Sequence, residues 1–346
     1  MRRFFYPAIC LGMLLLAGCA ALPEAETEGR TVSEMLDGPL DTVSTVTLYD
    51  WRGGEEPIEA VFALLYDIDA RMSAVSGESE IAGLSGQAGT PAAVSGDVFG
   101  LIEYAKTVGA ETDGAFDITI RPIVSLWGIG TENARVPAQA ELDAALLSVG
   151  YEGITLDKAA SSVTLEKAGM QLDLGGIAKG YACDRAAEIL RNANVGHGII
   201  DLGGNVYVLG TKPDGALWQV GIKSPVVGEN GYFGVAAARD RAVVTSGVYE
   251  RFFERDGKRY HHIMDPRTGC PVDNGLLSVT IISASAAQAD ALSTACFVLG
   301  AERGLAYLSA LEGAEGIFVS EDLSVQVTPG LRDSFRITDE RFQLVD

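Results

Sequence analysis

Apolar residues recur along the chain with two periods, one typical of strands and the other typical of helices. Alternation predicts strands over residues 42–49, 218–222, 242–247 and 277–282, and a hairpin over 155–164. Helical spacing predicts helices over 57–72, 98–108, 138–147, 181–191 and 286–299, the second of which is expected to end at Gly109. The two kinds of element alternate without regular βαβ spacing. This favours an α+β fold with largely antiparallel sheets and packed helices.

The first 18 residues follow a different pattern, which is typical of a signal peptide. A basic start at residues 1–3 precedes an apolar run over 4–16 that is too short for a comfortable membrane span. The residues directly before Cys19 are small. We therefore expect a lipoprotein signal peptide over 1–18 and a lipid on Cys19 that anchors the mature protein to the extracytoplasmic side of a membrane. An ordinary secretory signal with an incidental cysteine is the alternative.

The segment after the signal peptide is acidic and has no periodic pattern of large apolar residues. We expect residues 19–39 to form a tether and residues 40–346 to form the folded domain. A domain of about 310 residues suits one large unit or two intimately joined lobes. Apolar residues make up 47% of the chain, which is ample for a sizeable core.

The strongly negative charge argues against two classes of partner. The formal net charge is −21, and it becomes −23 when Arg2 and Arg3 leave with the signal peptide. We expect no nucleic-acid binding, because phosphate neutralisation needs basic surface. Anionic lipid headgroups would also repel the chain, so the lipid on Cys19 has to supply the membrane attachment.

A glycine-rich turn before a predicted helix is the first candidate for ligand binding. Gly175 and Gly176 follow Asp173, and without a Cβ they let the backbone come close to a ligand. The N–H groups that open the helix, with Lys179 beside them, would attract a phosphate, while Asp173 would accept N–H or O–H donors. This combination suits a nucleotide, although the spacing matches neither a Walker loop nor the dinucleotide fingerprint. A plain strand-to-helix turn with a surface lysine is the alternative.

Two further groups of polar residues suggest proton transfer and metal binding. His261 and His262, close to Asp265, are two of the three histidines in the chain, which favours proton transfer or phosphate contact over a turn with incidental histidines. Asp290 and Thr294 lie four residues apart on one helix face, where their oxygens would suit Mg²⁺. By spacing alone, a structural role explains this pair better than metal binding does. The aspartate would lie near a helix N-terminus, and the threonine hydroxyl would bond to the helix backbone.

Five motifs occur in the order seen in a known enzyme family. They are Asp173-Leu-Gly-Gly-Ile-Ala-Lys-Gly-Tyr, the Gly203-Gly204 turn, Ser246-Gly-x-Tyr249, His262-Ile-Met-Asp-Pro-x-Thr-Gly269 and Ala289-Asp-Ala-Leu-Ser-Thr-Ala. Each motif is modest alone, but five in register are specific. From about Leu40 onward the chain therefore resembles the ApbE/Ftp family, whose members are FAD:protein FMN transferases and often envelope lipoproteins.

The resemblance implies a reaction and a set of site residues. The reaction is a Mg²⁺-dependent transfer of FMN from FAD to a Thr or Ser hydroxyl, with release of AMP. The acceptor would be an exported protein of a membrane or extracytoplasmic electron-transfer system. The metal would be held by Asp290, Thr294 and the backbone carbonyl of Gly176, and His262, Asp290 and Lys179 would be catalytic. The positions implied to contact FAD are Leu40, Ala115, Phe116, Asp117, Asp173, Lys179, His262, Ile263 and Met264.

The chain departs from the family pattern at two places, and two other functions fit the same residues. Leu40-Asp41-Thr42 stands where the family commonly has Met-Gly-Thr, and Ala74-Val75 stands where an aromatic residue often covers the flavin. Loss of that aromatic is expected to weaken FAD binding and to leave the metal chemistry intact.

The alternatives to the transferase are an FAD pyrophosphatase that yields FMN and AMP, and a non-enzymatic flavin-binding lipoprotein. The second alternative would not need the Asp290 and Thr294 oxygens.

Overall fold

The structure is a computed structural model that describes residues 29–345. The predicted signal peptide, the lipidation site at Cys19 and the first part of the tether lie outside the described residues, so they stay predictions. Among the residues that are described, no helix is long and apolar enough to cross a membrane.

Within residues 29–345 the chain forms eight α-helices and seventeen β-strands. The helices are α1 Glu56–Met72, α2 Glu80–Leu84, α3 Gly96–Glu111, α4 Arg121–Trp127, α5 Gln139–Leu146, α6 Ala178–Asn192, α7 Ala286–Leu299 and α8 Ala301–Ala310. The strands are β1 Arg30–Asp37, β2 Val43–Trp51, β3 Ala92–Ala93, β4 Ile154–Asp157, β5 Ser162–Leu165, β6 His197–Leu202, β7 Asn205–Gly210, β8 Trp218–Lys223, β9 Tyr232–Ala238, β10 Arg241–Gly247, β11 Phe252–Arg255, β12 Lys258–His261, β13 Leu276–Ser283, β14 Ala314–Ser320, β15 Ser324–Val327, β16 Phe335–Ile337 and β17 Gln343–Leu344.

One large sheet organises the fold. Its nine strands lie in the order β1-β2-β6-β7-β10-β13-β14-β15-β17, and all neighbours are antiparallel except β15 and β17. Two three-stranded sheets, β16-β9-β8 and β3-β5-β4, and the β11-β12 hairpin complete the strand pairing in the described part of the chain. The predicted α+β fold with largely antiparallel sheets is confirmed.

The central strands of the large sheet are buried on both faces. On one face, Val244 and Val279 join a core that includes apolar residues of α1, α3, α6 and α7. On the other face, Val243 and Ile282 pack with residues of β8, β9 and β16. A third, smaller cluster surrounds Trp127. The two main cores therefore lie on opposite faces of one sheet.

The ends of two predicted helices needed correction, and three helices, α2, α4 and α8, were missed. Helix α3 continues past Gly109 to Glu111, because Gly109 is a packing residue rather than a cap. A Cβ at Gly109 would lie 3.0 Å from the carbonyl oxygen of Phe116. Helix α6 begins three residues before the predicted start, since the turn from Leu174 to Ile177 leads directly into it. Helix α4 is too short to give a clear period in the sequence.

The predicted tether was wrong in its second half. Residues 30–37 form strand β1, which pairs antiparallel with β2 along most of its length. Only Val32 of this strand is buried, so its side chains carry no apolar alternation. Backbone hydrogen bonds to β2 hold the strand at the edge of the sheet, and these leave no mark on the hydropathy pattern.

Candidate active site

The N-terminal turn of α6 packs tightly against the first half of α7. The N–H of Gly180 donates to Oδ2 of Asp290 over 2.8 Å. A Cβ on Gly180 would lie 2.2 Å from the carbonyl oxygen of Ala286 and 2.7 Å from Cβ of Asp290, so only glycine fits here. This contact brings the glycine-rich turn beside residues that are more than a hundred positions away in sequence.

The three residues that the resemblance implied as metal ligands, Asp290, Thr294 and Gly176, lie near this contact. Asp290 is buried, and the hydrogen bond from α6 goes to one of its two carboxylate oxygens. Thr294 lies one turn further along α7, and its Oγ1 is 3.6 Å from the position of a Cβ on Gly176. Oγ of Ser246 lies 3.3 Å from Oγ1 of Thr294 and 2.8 Å from Oγ of Ser293. Ser246 and Ser293 stand in two of the five motifs, but no role for either follows from the sequence.

This donor set fits magnesium better than a metal that needs a full protein cage. It offers a carboxylate, a hydroxyl and a backbone carbonyl, all of them hard oxygen ligands. Within residues 29–345, no group of three or more His, Cys, Asp or Glu side chains is placed to hold a metal ion. Few protein ligands are what Mg²⁺ accepts, because it keeps places for water and substrate phosphate.

The turn before α6 places a positive charge next to the same contact. Oδ1 of Asp173 accepts the N–H of Gly175 over 2.9 Å, and Oδ2 lies 3.3 Å from Nη1 of Arg121. Lys179 is partly exposed, and its Nζ lies 3.4 Å from the carbonyl oxygen of Gly175. In the described part of the chain, no carboxylate forms an ion pair with Lys179, so its charge is available to an anion. Arg121 is a further residue that the sequence did not indicate, since its partner lies 52 positions away.

The two adjacent histidines have different roles. Nε2 of His261 bonds to the carbonyl oxygen of Val272 over 2.8 Å, and its ring packs edge-on against Phe297, so His261 is structural. His262 makes no such bond, and its Nδ1 is buried with no hydrogen-bond partner among the described residues. Burial above all, and then the nearby His261, Arg251 and Lys179, lower the pKa of His262 to about 3. His262 is therefore neutral at pH 7 and able to accept a proton.

Acid should destabilise the protein through His262. Its pKa is about 3 in the folded chain and 6.5 for a freely solvated histidine, so the unfolded chain binds more protons between these values. The stabilising contribution is present above pH 6.5 and is lost as the pH falls towards 3. Between about pH 7.5 and about pH 5, the free energy of unfolding should fall by about 2 kcal/mol more in the wild type than in His262→Gln. Urea unfolding of both proteins at both pH values measures this, and equal pH dependence would contradict it.

Most of the other implied FAD contacts are buried. The exposed fraction is at most 6% for Ala115, Phe116, Ile263 and Met264, so these side chains are part of the core. Both oxygens of Asp117 are already occupied. Oδ1 accepts from the backbone and hydroxyl of Thr119, and Oδ2 accepts the N–H of Tyr151. The carboxylate of Asp117 thus holds its own loop in shape, and its contact with FAD stays a prediction.

Leu40 lies in a strained turn that is tied to the histidine segment. Leu40 and Asp41 have positive φ angles of 59° and 54°. The N–H of Leu40 donates to Oδ1 of Asp69 over 3.1 Å, and Asp41 forms an ion pair of 2.9 Å with Arg251. The carbonyl oxygen of Arg251 in turn accepts the N–H of His262. The structure thereby links Leu40 with the histidine segment, although the two are over 200 residues apart.

Trp127 does not take the place of the aromatic residue that is missing at Ala74 and Val75. Val75 is 79% exposed, while Ala74 packs partly against the main core. Trp127 is buried and donates from Nε1 to the carbonyl oxygen of Gly269, so it is a core residue. The expectation of weaker flavin stacking at residues 74–75 stays a prediction.

Comparison with known proteins assigns the chain to a family. A sequence model of the ApbE family matches residues 40–318. The chain belongs to the ApbE family. An ApbE relative from Klebsiella pneumoniae, named FAD:protein FMN transferase, is 39% identical over 304 residues, which cover 88% of this chain and 94% of the relative. A relative of the same name from Treponema pallidum is 38% identical and covers 88% of this chain and 89% of its own length.

Solved ApbE structures have the same fold. The ApbE protein of Thermotoga maritima superposes with a TM-score of 0.83 at 32% identity, covering 89% of this chain and all of that one. The flavinyl transferase ApbE of Pseudomonas stutzeri, in its apo form, gives a TM-score of 0.76 at 29% identity, with coverage of 91% and 96%. The resemblance inferred from five motifs is confirmed, and the chain is an enzyme of the ApbE family.

Proposed function

We propose that this ApbE protein transfers FMN from FAD to a Thr or Ser hydroxyl of an exported acceptor protein and releases AMP. The observation that carries the proposal is the meeting of Asp290, Thr294 and Gly176 beside Lys179. These residues come from two helices and a turn that are distant in sequence, and together they suit a metal and an anionic diphosphate. The names of the relatives support the same donor and product.

The chemistry follows from the charges that the site can offset. The acceptor oxygen bonds to the phosphorus of the FMN half, the bond between the two phosphates breaks, and AMP leaves with the oxygen. Mg²⁺ held by Asp290, Thr294 and the Gly176 carbonyl would supply positive charge that stabilises the diphosphate as negative charge shifts onto AMP. Lys179 would add a second positive charge. Such a transfer depends mainly on positioning and charge stabilisation.

His262 would take the proton from the acceptor hydroxyl. In the ligand-free protein its low pKa makes it a weak base. Bound phosphates bring negative charge near the ring, which favours the protonated form and raises the pKa. The strength of the base would therefore increase when FAD is bound.

The site of action is proposed from the amino-terminal residues. A lipid on Cys19 would hold the enzyme on the extracytoplasmic side of a membrane, where exported acceptor proteins are found. The chain has a net charge of −21, which disfavours binding to nucleic acid.

Incubation with FAD, Mg²⁺ and a candidate acceptor tests the proposal. We expect the acceptor to gain the mass of FMN with one AMP released per FMN attached, and EDTA to abolish both. Intact-mass analysis of the acceptor and chromatography of the nucleotides provide the measurement. Free FMN and AMP with an unmodified acceptor would replace the proposal with an FAD pyrophosphatase. FAD that stays bound and unchanged would point to a flavin carrier.

A further inference from the structure

The N-terminus of α7 is capped by a carboxylate from another helix. Asp184, on α6, accepts the N–H of Ala286 at Oδ1 over 2.7 Å. Its Oδ2 accepts the N–H of Ala287 over 3.0 Å and the hydroxyl of Ser285 over 2.8 Å. Ser285 also accepts the N–H of Gln288, as an N-cap residue does. A negative charge at this end of α7 further suits the helix dipole.

Asp184 and Gly180 together fix the register between the two helices. They lie four residues apart, and so on one face of α6. Gly180 touches Ala286 and bonds to Asp290, and Asp184 bonds to the first turn of α7. Two contacts one turn apart prevent both sliding and rotation of α7 relative to α6.

The candidate metal ligands lie on both sides of this contact. Gly176 stands in the turn that enters α6, whereas Asp290 and Thr294 stand on α7. Any shift between α6 and α7 therefore changes the distances among the three. Asp184 itself bonds to backbone and hydroxyl groups of residues 285–287 and not to any of these three.

We propose that Asp184 is a positioning residue for the metal site, which it holds in shape by locking α7 to α6. This inference rests on the proposed magnesium site. Groups behind the direct ligands orient those ligands, and losing one typically weakens metal binding about 10- to 100-fold. A shift of about 1 Å in a reacting group can lower a rate about 100-fold.

The test measures Mn²⁺ binding by the ligand-free protein, with the electron paramagnetic resonance signal of free Mn²⁺ as the readout. In Asp184→Asn one acceptor oxygen becomes an NH₂ group that faces donors, so the clamp is lost with little change in volume. We expect its Kd for Mn²⁺ to rise at least about 10-fold. Ser285→Ala removes one of the three bonds and should give a smaller rise, and it carries the test if Asp184→Asn does not fold.

A matched control separates positioning from general destabilisation. Thr328 is buried after β15, outside the α6–α7 contact, and its Oγ1 accepts the N–H of Gly316 over 2.9 Å. Thr328→Val should lower the unfolding midpoint and leave the Kd for Mn²⁺ unchanged. If folded Asp184→Asn and Ser285→Ala both bind Mn²⁺ with wild-type affinity, the positioning role of Asp184 is wrong, while the proposed metal site is unaffected. Absence of Mn²⁺ binding in the wild type would instead overturn the proposed metal dependence, and this inference with it.

Discussion

Replacing Asp290 with asparagine is expected to lower the rate of FMN transfer by about 1000-fold or more and to leave the protein folded. The buried carboxylate supplies the only negative charge in the proposed ligand set. Asparagine keeps an oxygen that can accept the N–H of Gly180, so the contact between α6 and α7 is preserved. The neutral amide is a poor ligand for Mg²⁺ by comparison. AMP release over a range of Mg²⁺ concentrations, together with the unfolding midpoint, measures the effect.

A surface aspartate provides the control for this substitution. Asp214 accepts the N–H of Ala216 in an exposed turn between β7 and β8, and it belongs to neither α6 nor α7. Asp214→Asn should transfer FMN at the wild-type rate. If Asp290→Asn stays within about tenfold of the wild type at the same Mg²⁺ concentration, the assignment of Asp290 as a metal ligand is wrong.

The elements that the sequence predicted best carry their own boundary signals. Helix α7 has the predicted bounds, because Ser285 caps its start and Gly300 follows its end. Strand β1 could not be predicted, since its pairing with β2 depends on backbone groups rather than on apolar side chains. The role of Gly109 as a helix end was predicted wrongly for a related reason. A glycine needed for close packing and a glycine that ends a helix look the same in one sequence.

The candidate site was harder to predict than the fold, because its contacts join distant parts of the chain. Residue spacing alone favoured a purely structural role for Asp290 and Thr294. Only the resemblance to the ApbE family connected them with Gly176, and in the structure Gly176 lies near Thr294 while Gly180 bonds to Asp290. Asp184 has no local signature, since the three groups that it bonds to lie about a hundred residues away. Such a contact requires the fold to be known.

The second large effect is expected from Gly180→Ala, one methyl group at the closest point between α6 and α7. The added Cβ would lie 2.2 Å from the carbonyl oxygen and 2.6 Å from the carbonyl carbon of Ala286. These are backbone atoms, so the helices themselves must move apart. We expect a loss of about 3 kcal/mol in the free energy of unfolding, which is typical of severe overpacking. FMN transfer should fall about 100-fold, because the movement separates Gly176 from Asp290.

Urea unfolding and AMP release measure the two effects, and Gly100→Ala is the matched control. Gly100 is exposed within α3, and a Cβ there would meet nothing within 4 Å. Alanine should therefore stabilise this helix, by up to about 1 kcal/mol, without changing the rate. If Gly180→Ala were less stable but kept the wild-type rate, the tight packing of α6 on α7 would contribute to stability and not to catalysis. Loss of both, with metal affinity falling in parallel, would mean that this one contact determines both the packing and the geometry of the metal site.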